Sequence, residues 1–260
     1  MRRLTLIAGV IFLLSACVST EKKTEKVQET PEEPKPITLT KAPASPAYED
    51  AVLTLVEPYP EKVGAEDSVN FDFSLTAYEL GTQTADAAER GIANSGKGQH
   101  IHFIVNNGPY SAHYGPQFKK KMEPGNYTIL AFLSRSYHES VKNPNAFVTK
   151  QLTVGDVEPV DVDFSAQHMF YSRPKGTYKG ADTKKLMLDF YLLNTSLSKD
   201  GNKVKATING KEFMIDEWAP FYIENAPIGE LTVSLELVDK DGNYIEGPFN
   251  KVTRKVTLAE

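Results

Sequence analysis

Between Val69 and Leu75 the chain reads Val-Asn-Phe-Asp-Phe-Ser-Leu, apolar and polar in strict alternation. No other feature limits its fold so closely. A period of two puts Val69, Phe71, Phe73 and Leu75 on one face of a strand and Asn70, Asp72 and Ser74 on the other. Short segments of this kind, separated by turn residues, run from Ala51 onward with almost no helical periodicity. Val52–Val56 predicts a strand stopped by Pro58. Tyr127–Leu133 is apolar at nearly every position and predicts a central strand covered on both sides. Phe147–Val154 closes the set. About seven strands in roughly 110 residues, without long helices, predict a β-sandwich of immunoglobulin type.

One segment of that sandwich holds most of the candidate chemistry. In Gly-Gln-His-Ile-His-Phe-Ile-Val-Asn-Asn-Gly-Pro-Tyr, residues 98–110, Ile101, Phe103 and Val105 share one strand face and His100 and His102 the other. Asn107-Gly108 supplies a hairpin turn, because both residues tolerate positive φ. His113 follows on the return strand, so three of the five histidines fall in one hairpin. The alternation predicts that His100 and His102 point outward, away from the core.

A second, shorter copy is expected from Leu186 to Leu258. Leu188-Asp-Phe-Tyr-Leu192 echoes Phe71-Asp-Phe-Ser-Leu75, and Val204–Gly210 echoes Ile101–Gly108 with its own Asn-Gly turn. Lys203 and Lys205 stand where the first copy has His100 and His102, so the fold itself does not require histidine there. The loop before the strand is also longer in the first copy, 19 residues from Glu79 to Lys97. Compact domains seldom carry such a loop without a use for it. Its Ala85–Arg90 segment predicts one or two helical turns over the strand.

The N-terminus gives an address. Arg2 and Arg3 precede an apolar run from Leu4 to Leu14, too short to span a membrane and arranged as a secretory signal. Leu-Ser-Ala-Cys resembles the lipobox of bacterial lipoproteins, which implies cleavage before Cys17 and its lipidation, palmitate included. Val18 after the cysteine favours the outer membrane, facing the periplasm or the cell surface. Cys17 is the only cysteine, which excludes a disulfide framework. Val18–Ser45 has five acids, five bases and no aromatic residue, a composition that cannot offset the entropy of ordering. The expected organisation is all-β: a lipoprotein signal peptide over 1–16, a lipidated Cys17 and disordered tether over 17–46, a first immunoglobulin-like β-sandwich with the His hairpin over 47–156, a connector over 157–184, and a second sandwich over 185–260. The net charge of −5 becomes −7, 27 bases against 34 acids, once Arg2 and Arg3 leave. Such a chain is not a general nucleic-acid binder, which needs a clustered basic surface.

Three chemistries compete for the hairpin face. Ser134–Ser140 with Arg135 and His138, and Tyr171–Lys179 with Arg173 and Lys175, combine cations, hydroxyls and aromatics. If they meet His100, His102 and His113 at one cleft, an anionic ligand or acidic peptide is the natural guest. Alternatively His100, His102 and His113 hold Zn or Cu, with His138 and Glu139 on a later loop as more distant candidates for a further ligand. A structural or interaction module, packing against another envelope protein, is the third reading. Gly91–Gly98 nearly matches a phosphate-binding loop but has Gly98 where the magnesium hydroxyl belongs. No nucleophile elbow or catalytic carboxylate pair is present, so no enzyme and no obligatory cofactor is expected. Trp218, with Pro220, Phe221 and Tyr222, offers either a sugar-stacking surface or core plus turn.

Taken as a set, the Gly98–Tyr110 segment, Ser-Arg-Ser-Tyr-His-Glu-Ser at 134–140 and Phe-Tyr-Ser-Arg-Pro-Lys-Gly-Thr-Tyr-Lys-Gly at 170–180 resemble a group of uncharacterised Gram-negative lipoproteins, some labelled "phosphopeptide-binding protein". The resemblance covers nearly everything after the tether. It implies an envelope lipoprotein and, through that label, a phosphorylated peptide as guest. The preferred reading is a non-catalytic envelope protein that binds an anionic ligand on the outward hairpin face, under the Glu79–Lys97 loop.

Overall fold

The computed structural model describes residues 35–59, 61–64 and 68–260. The signal, the lipidation at Cys17 and most of the expected tether lie outside the described residues.

Alternating segments become strands where the turn residues predicted them. The first module contains β2 (Val52–Glu57), β3 (Lys62–Val63), β4 (Val69–Thr76), β5 (His100–Val105), β6 (Ser111–His113), β7 (Gln117–Lys120), β8 (Gly125–Ser134) and β9 (Phe147–Val154). The second contains β10 (His168–Arg173), β11 (Thr177–Lys179), β12 (Lys185–Leu193), β13 (Lys203–Ile208), β14 (Lys211–Ile215), β15 (Phe221–Glu224), β16 (Gly229–Val238) and β17 (Lys251–Ala259). One more strand, β1 (Thr38–Lys41), precedes both. The modules are built alike. The larger sheet of the first has the order β3-β9-β8-β5-β6, and that of the second β11-β17-β16-β13-β14, each with a parallel edge pair. The smaller sheets are β2-β4-β7 and β10-β12-β15, the latter extended by β1. The repeat read from the sequence is therefore a repeat of topology.

Two boundaries differ from expectation. The second module begins with β10 and β11, inside the stretch expected to be a connector. Thr38–Lys41, expected in the tether, pairs antiparallel with β15 from Thr38↔Glu224 to Lys41↔Phe221. The Ile-Thr-Leu-Thr run at 37–40 alternates like any edge strand, and composition averaged over the whole tether conceals it.

Each sandwich has its own core. Leu53, Phe71, Phe73, Ile101, Phe103, Ile129, Ala131 and Leu133 fill the first, and Leu188, Phe190, Val204, Ala206, Val233 and Leu235 the second. A third cluster, Ile104, Tyr110, Leu130, Phe132, Phe170, Tyr191, Leu193 and Phe249, joins the reverse faces of β5 and β8 to those of β10 and β12. The large sheet of the first module is thus covered on both faces, by its own small sheet and by the small sheet of the second module. Each fully buried side chain of this size contributes about 1.5–3 kcal/mol. Polar ties reinforce the seam. The Asn107 side chain donates to the carbonyls of Met169 (3.3 Å) and Phe249 (2.9 Å) and accepts from the Tyr171 N–H (2.9 Å). Asp189, fully buried, meets Lys142 Nζ at 2.5 Å and the Ser140 hydroxyl at 3.0 Å.

Candidate functional site

Strand parity on β5 is as the sequence predicts. Ile101 and Phe103 enter the first core, and His100, His102 and Ile104 take the opposite face. The inference that this face is open is wrong: both imidazoles are 0% exposed. The second module roofs them, because β8 beside them carries Leu130 and Phe132 on the same face, and burying those buries their neighbours. His102 stacks on Tyr110 with ring centroids 3.5 Å apart and lies edge-on to Phe132. Ser172 of β10 approaches His102 Nδ1 at 3.4 Å.

Under that roof three imidazoles converge. His100 Nε2 lies 3.0 Å from His102 Nε2 and 3.0 Å from His138 Nδ1. All three ring nitrogens fall within 4.8 Å of one another. Ser134 Oγ is 3.2 Å from His102 Nε2, and the Tyr110 hydroxyl 3.2 Å from His138 Nδ1. The tautomer of His100 is fixed, since its Nδ1 faces the Gly98 carbonyl at 2.8 Å and a carbonyl can only accept. Nε2 therefore presents a bare lone pair to the other two rings.

Local structure explains the placement. Gly98 sits at φ +82°, and a Cβ there would stand 2.4 Å from the Gly81 carbonyl oxygen. Only glycine admits this approach of the Glu79–Lys97 loop, and it aims the carbonyl at His100. His138 occupies a turn at φ 69°, unusual for a non-glycine residue. Its N–H donates to the Arg135 carbonyl, and the Arg135 N–H to the Glu139 carbonyl, both at 2.9 Å. The long loop packs on this turn, with Ser136 N–H donating to Thr84 Oγ1 at 2.9 Å and Ser95 N–H to the Ser136 carbonyl at 2.9 Å. Within the loop, Ala87–Arg90 forms one helical turn.

Electrostatics keep the cluster neutral. Burial pushes His100 down to about 4, against the Gly98 bond, which raises it, while Arg173 and Lys175 lower it further. His102 is held well below its ordinary range by burial, then by His100 and His138. His138 is pushed down by burial, then by Arg173. Lys175 is itself lowered to about 8 by burial and by Arg173 and Arg254.

The remaining expected site residues divide. His113 is not in the cluster. Its register opposite Ile101 turns it to the core side of the sheet, where it stacks on Phe118 at 3.4 Å and contacts Ser111 Oγ at 2.8 Å. Arg135 is engaged by Glu139 at 3.0 Å, by the Ser140 carbonyl at 2.9 Å and by the Pro46 carbonyl. Arg173 and Lys175 adjoin the histidines through Tyr110: Lys175 Nζ lies 4.0 Å and Arg173 Cζ 5.5 Å from its ring centroid. Arg173 is 8% exposed and donates to the Tyr178 hydroxyl at 2.7 Å. In place of the open basic cleft expected for an anionic ligand or phosphopeptide stand two buried arginines and a half-buried lysine, all bound to internal partners. Gly98, Tyr110, Ser134 and Ser172 lie in segments that the sequence singles out, but nothing in it assigns them to the histidine site. The double-sided apolar pattern of Tyr127–Leu133 was the signal that the neighbouring β5 face is also covered. Trp218 donates to the Phe190 carbonyl at 3.0 Å and lines a groove of about 450 Å³ with Phe147, Phe164 and Tyr191.

No protein-family model matches the chain, and no curated protein matches it. Solved structures similar to it include the fibronectin(III)-like modules of Clostridium thermocellum CbhA, at 13% identity and TM-score 0.28 over 80% of this chain and 94% of that one. Another is SGBP-B of the Bacteroides ovatus mixed-linkage glucan utilization locus, in complex with a mixed-linkage heptasaccharide, at 10% identity and TM-score 0.25 over 79% and 70%. The chicken CNTN1 FN1-FN3 domains match at 12% identity and TM-score 0.24 over 85% and 69%. The tandem β-sandwich architecture of this chain stands on its own strand pairing.

Proposed function

We propose that the chain is a non-catalytic, membrane-anchored binding protein whose binding centre is the His100–His102–His138 cluster and whose guest is a transition-metal ion. One observation carries the reading: a lone pair on His100 Nε2, fixed by the Gly98 carbonyl, with two further imidazole nitrogens 3.0 Å from it. Metal-bound histidines are held in this way, the distal ring nitrogen donating to a carbonyl that sets tautomer and orientation. Neighbouring nitrogens bonded to one ion at 2.0–2.1 Å stand about 3 Å apart, as in the two short contacts here. Burial favours the neutral imidazole, the form that coordinates metal. His138 is half-buried, and an ion would reach the cluster from its side. Attachment through Cys17 and an outer-membrane location, both expected from the N-terminal sequence, belong to the same proposal.

The test is calorimetric titration of metal-stripped protein with Zn(II), Co(II) and Cu(II), and with Cu(I) under reductant, using wild type and His138→Ala. One ion per chain is expected at micromolar affinity or tighter, weakened at least 100-fold by the substitution. Wild-type protein that takes up none of the four ions defeats the proposal.

A further inference from the structure

We infer that the ion is Cu(I), held by three imidazoles in a T-shaped arrangement; the inference rests on the metal-binding reading above and adds the identity of the ion. Shape, donor set and charge lead to it independently.

The nitrogens do not outline the face of a tetrahedron. His100 Nε2 is 3.0 Å from each of the others, and His102 and His138 form the wide pair within the 4.8 Å span. A tetrahedral ion would hold all three pairs near 3.3 Å. An ion lying between His102 and His138, with His100 as the stem of a T, needs about 4 Å across the top for bonds near 2.0 Å. His138 closes that difference by moving less than about 1 Å, and it is the half-buried member, set on a loop turn. Cu(I) accepts two or three ligands, whereas zinc on three imidazoles takes a water as its fourth and holds a tetrahedron.

The donor set contains no carboxylate. The nearby acids have other partners: Glu139 bonds Arg135 and the Ser45 hydroxyl, and Asp189 bonds Lys142. Ser134 and Tyr110 bring only hydroxyls to the cluster. No carboxylate in the donor set would offset the charge of a dication in this buried site.

The surroundings are already cationic. Lys175 Nζ and Arg173 lie against the face of Tyr110 at 4.0 and 5.5 Å, and Tyr110 stacks directly on His102. Repulsion from these two groups scales with the charge of the ion, so a dication meets twice what a monovalent ion meets. Copper is among the metals that imidazole suits, and Cu(I) is its monovalent form.

The experiment uses the full mature chain with Cys17→Ser, because the Cys17 thiolate is a competing Cu(I) ligand. Cu(I) is kept reduced with ascorbate under anaerobic conditions and titrated against bicinchoninate; Zn(II) is titrated against a chromophoric chelator. The expected result is one Cu(I) per chain, at least 100-fold tighter than Zn(II), and at least 100-fold weaker in His100→Gln and His138→Ala, with circular dichroism reporting their folding. X-ray absorption on the copper-loaded chain, which does not depend on those variants folding, is expected to show three nitrogen or oxygen neighbours and no sulfur. Zinc binding as tight as Cu(I), or sulfur in the copper shell, overturns the Cu(I) assignment and leaves the metal-binding reading standing. Failure of both ions overturns that reading as well.

Discussion

Lowering the pH from 7 to 5 tests the burial of the histidine cluster directly. The imidazole of His100 has an ordinary value of 6.5 in the unfolded chain and is pushed down to about 4 in the fold, chiefly by burial. The sign follows from proton counting. Below pH 6.5 the unfolded chain binds a proton that the folded chain refuses, so stability falls as pH falls. The loss ends near pH 4, where the folded ring protonates too. By linkage this one residue loses about 2 kcal/mol between pH 7 and 5. His102 and His138 shift in the same direction and add to the loss. Against a typical total of about 5–15 kcal/mol, the effect is large. Urea unfolding of metal-free protein, followed by the fluorescence of the single Trp218, measures it at pH 7, 6 and 5. The midpoint is expected to drop progressively at constant slope, and less steeply in His100→Gln. A midpoint that stays level across this range would refute the reasoning, since it requires imidazoles that take up protons alike in the fold and in the unfolded chain.

Other substitutions probe the supports of the site. Gly98→Ala places a Cβ 2.4 Å from the Gly81 carbonyl at φ +82°, and is expected to cost about 3 kcal/mol or more, read as a lower Tm. Asn107→Ala leaves the Met169 and Phe249 carbonyls and the Tyr171 N–H without their partner across the seam. A loss of about 2–4 kcal/mol is expected, with faster hydrogen exchange at the Tyr171 amide; protection equal to wild type would show that the seam does not depend on this side chain. Lys142→Met strands the fully buried Asp189 carboxylate and is expected to cost about 3–5 kcal/mol, much of it recovered in Lys142→Met/Asp189→Leu. Equal destabilisation in the single and double variants would contradict the pairing.

Local periodicity determined a good deal. Alternation at Val69–Leu75 and Ile101–Val105 specifies strands because side chains on a strand point to opposite faces, and the Asn-Gly turn at 209–210 specifies its hairpin, whereas the first hairpin turns one residue earlier than expected, on Asn106 and Asn107 at φ 49° and 51°. The same rule separates His100 and His102 from Ile101 and Phe103, and the second copy was legible because it repeats that rule at matching positions. What periodicity cannot state is what lies beyond the far face of a sheet. That was decided when Phe170, Tyr191 and Phe249 of the second module closed over Leu130 and Phe132, carrying the neighbouring imidazoles into the interior. The replacement of His113 by His138 has a similar cause. Residue separation along a hairpin made His113 look near, but pairing register turns it to the other face, while a turn 38 residues beyond His100 brings His138 within 3.0 Å of it. The sequence alone determined which face each residue takes within its own strand; only the packing of one module on the other, a contact between segments far apart in the chain, decided that the histidine face is interior and which three rings share it.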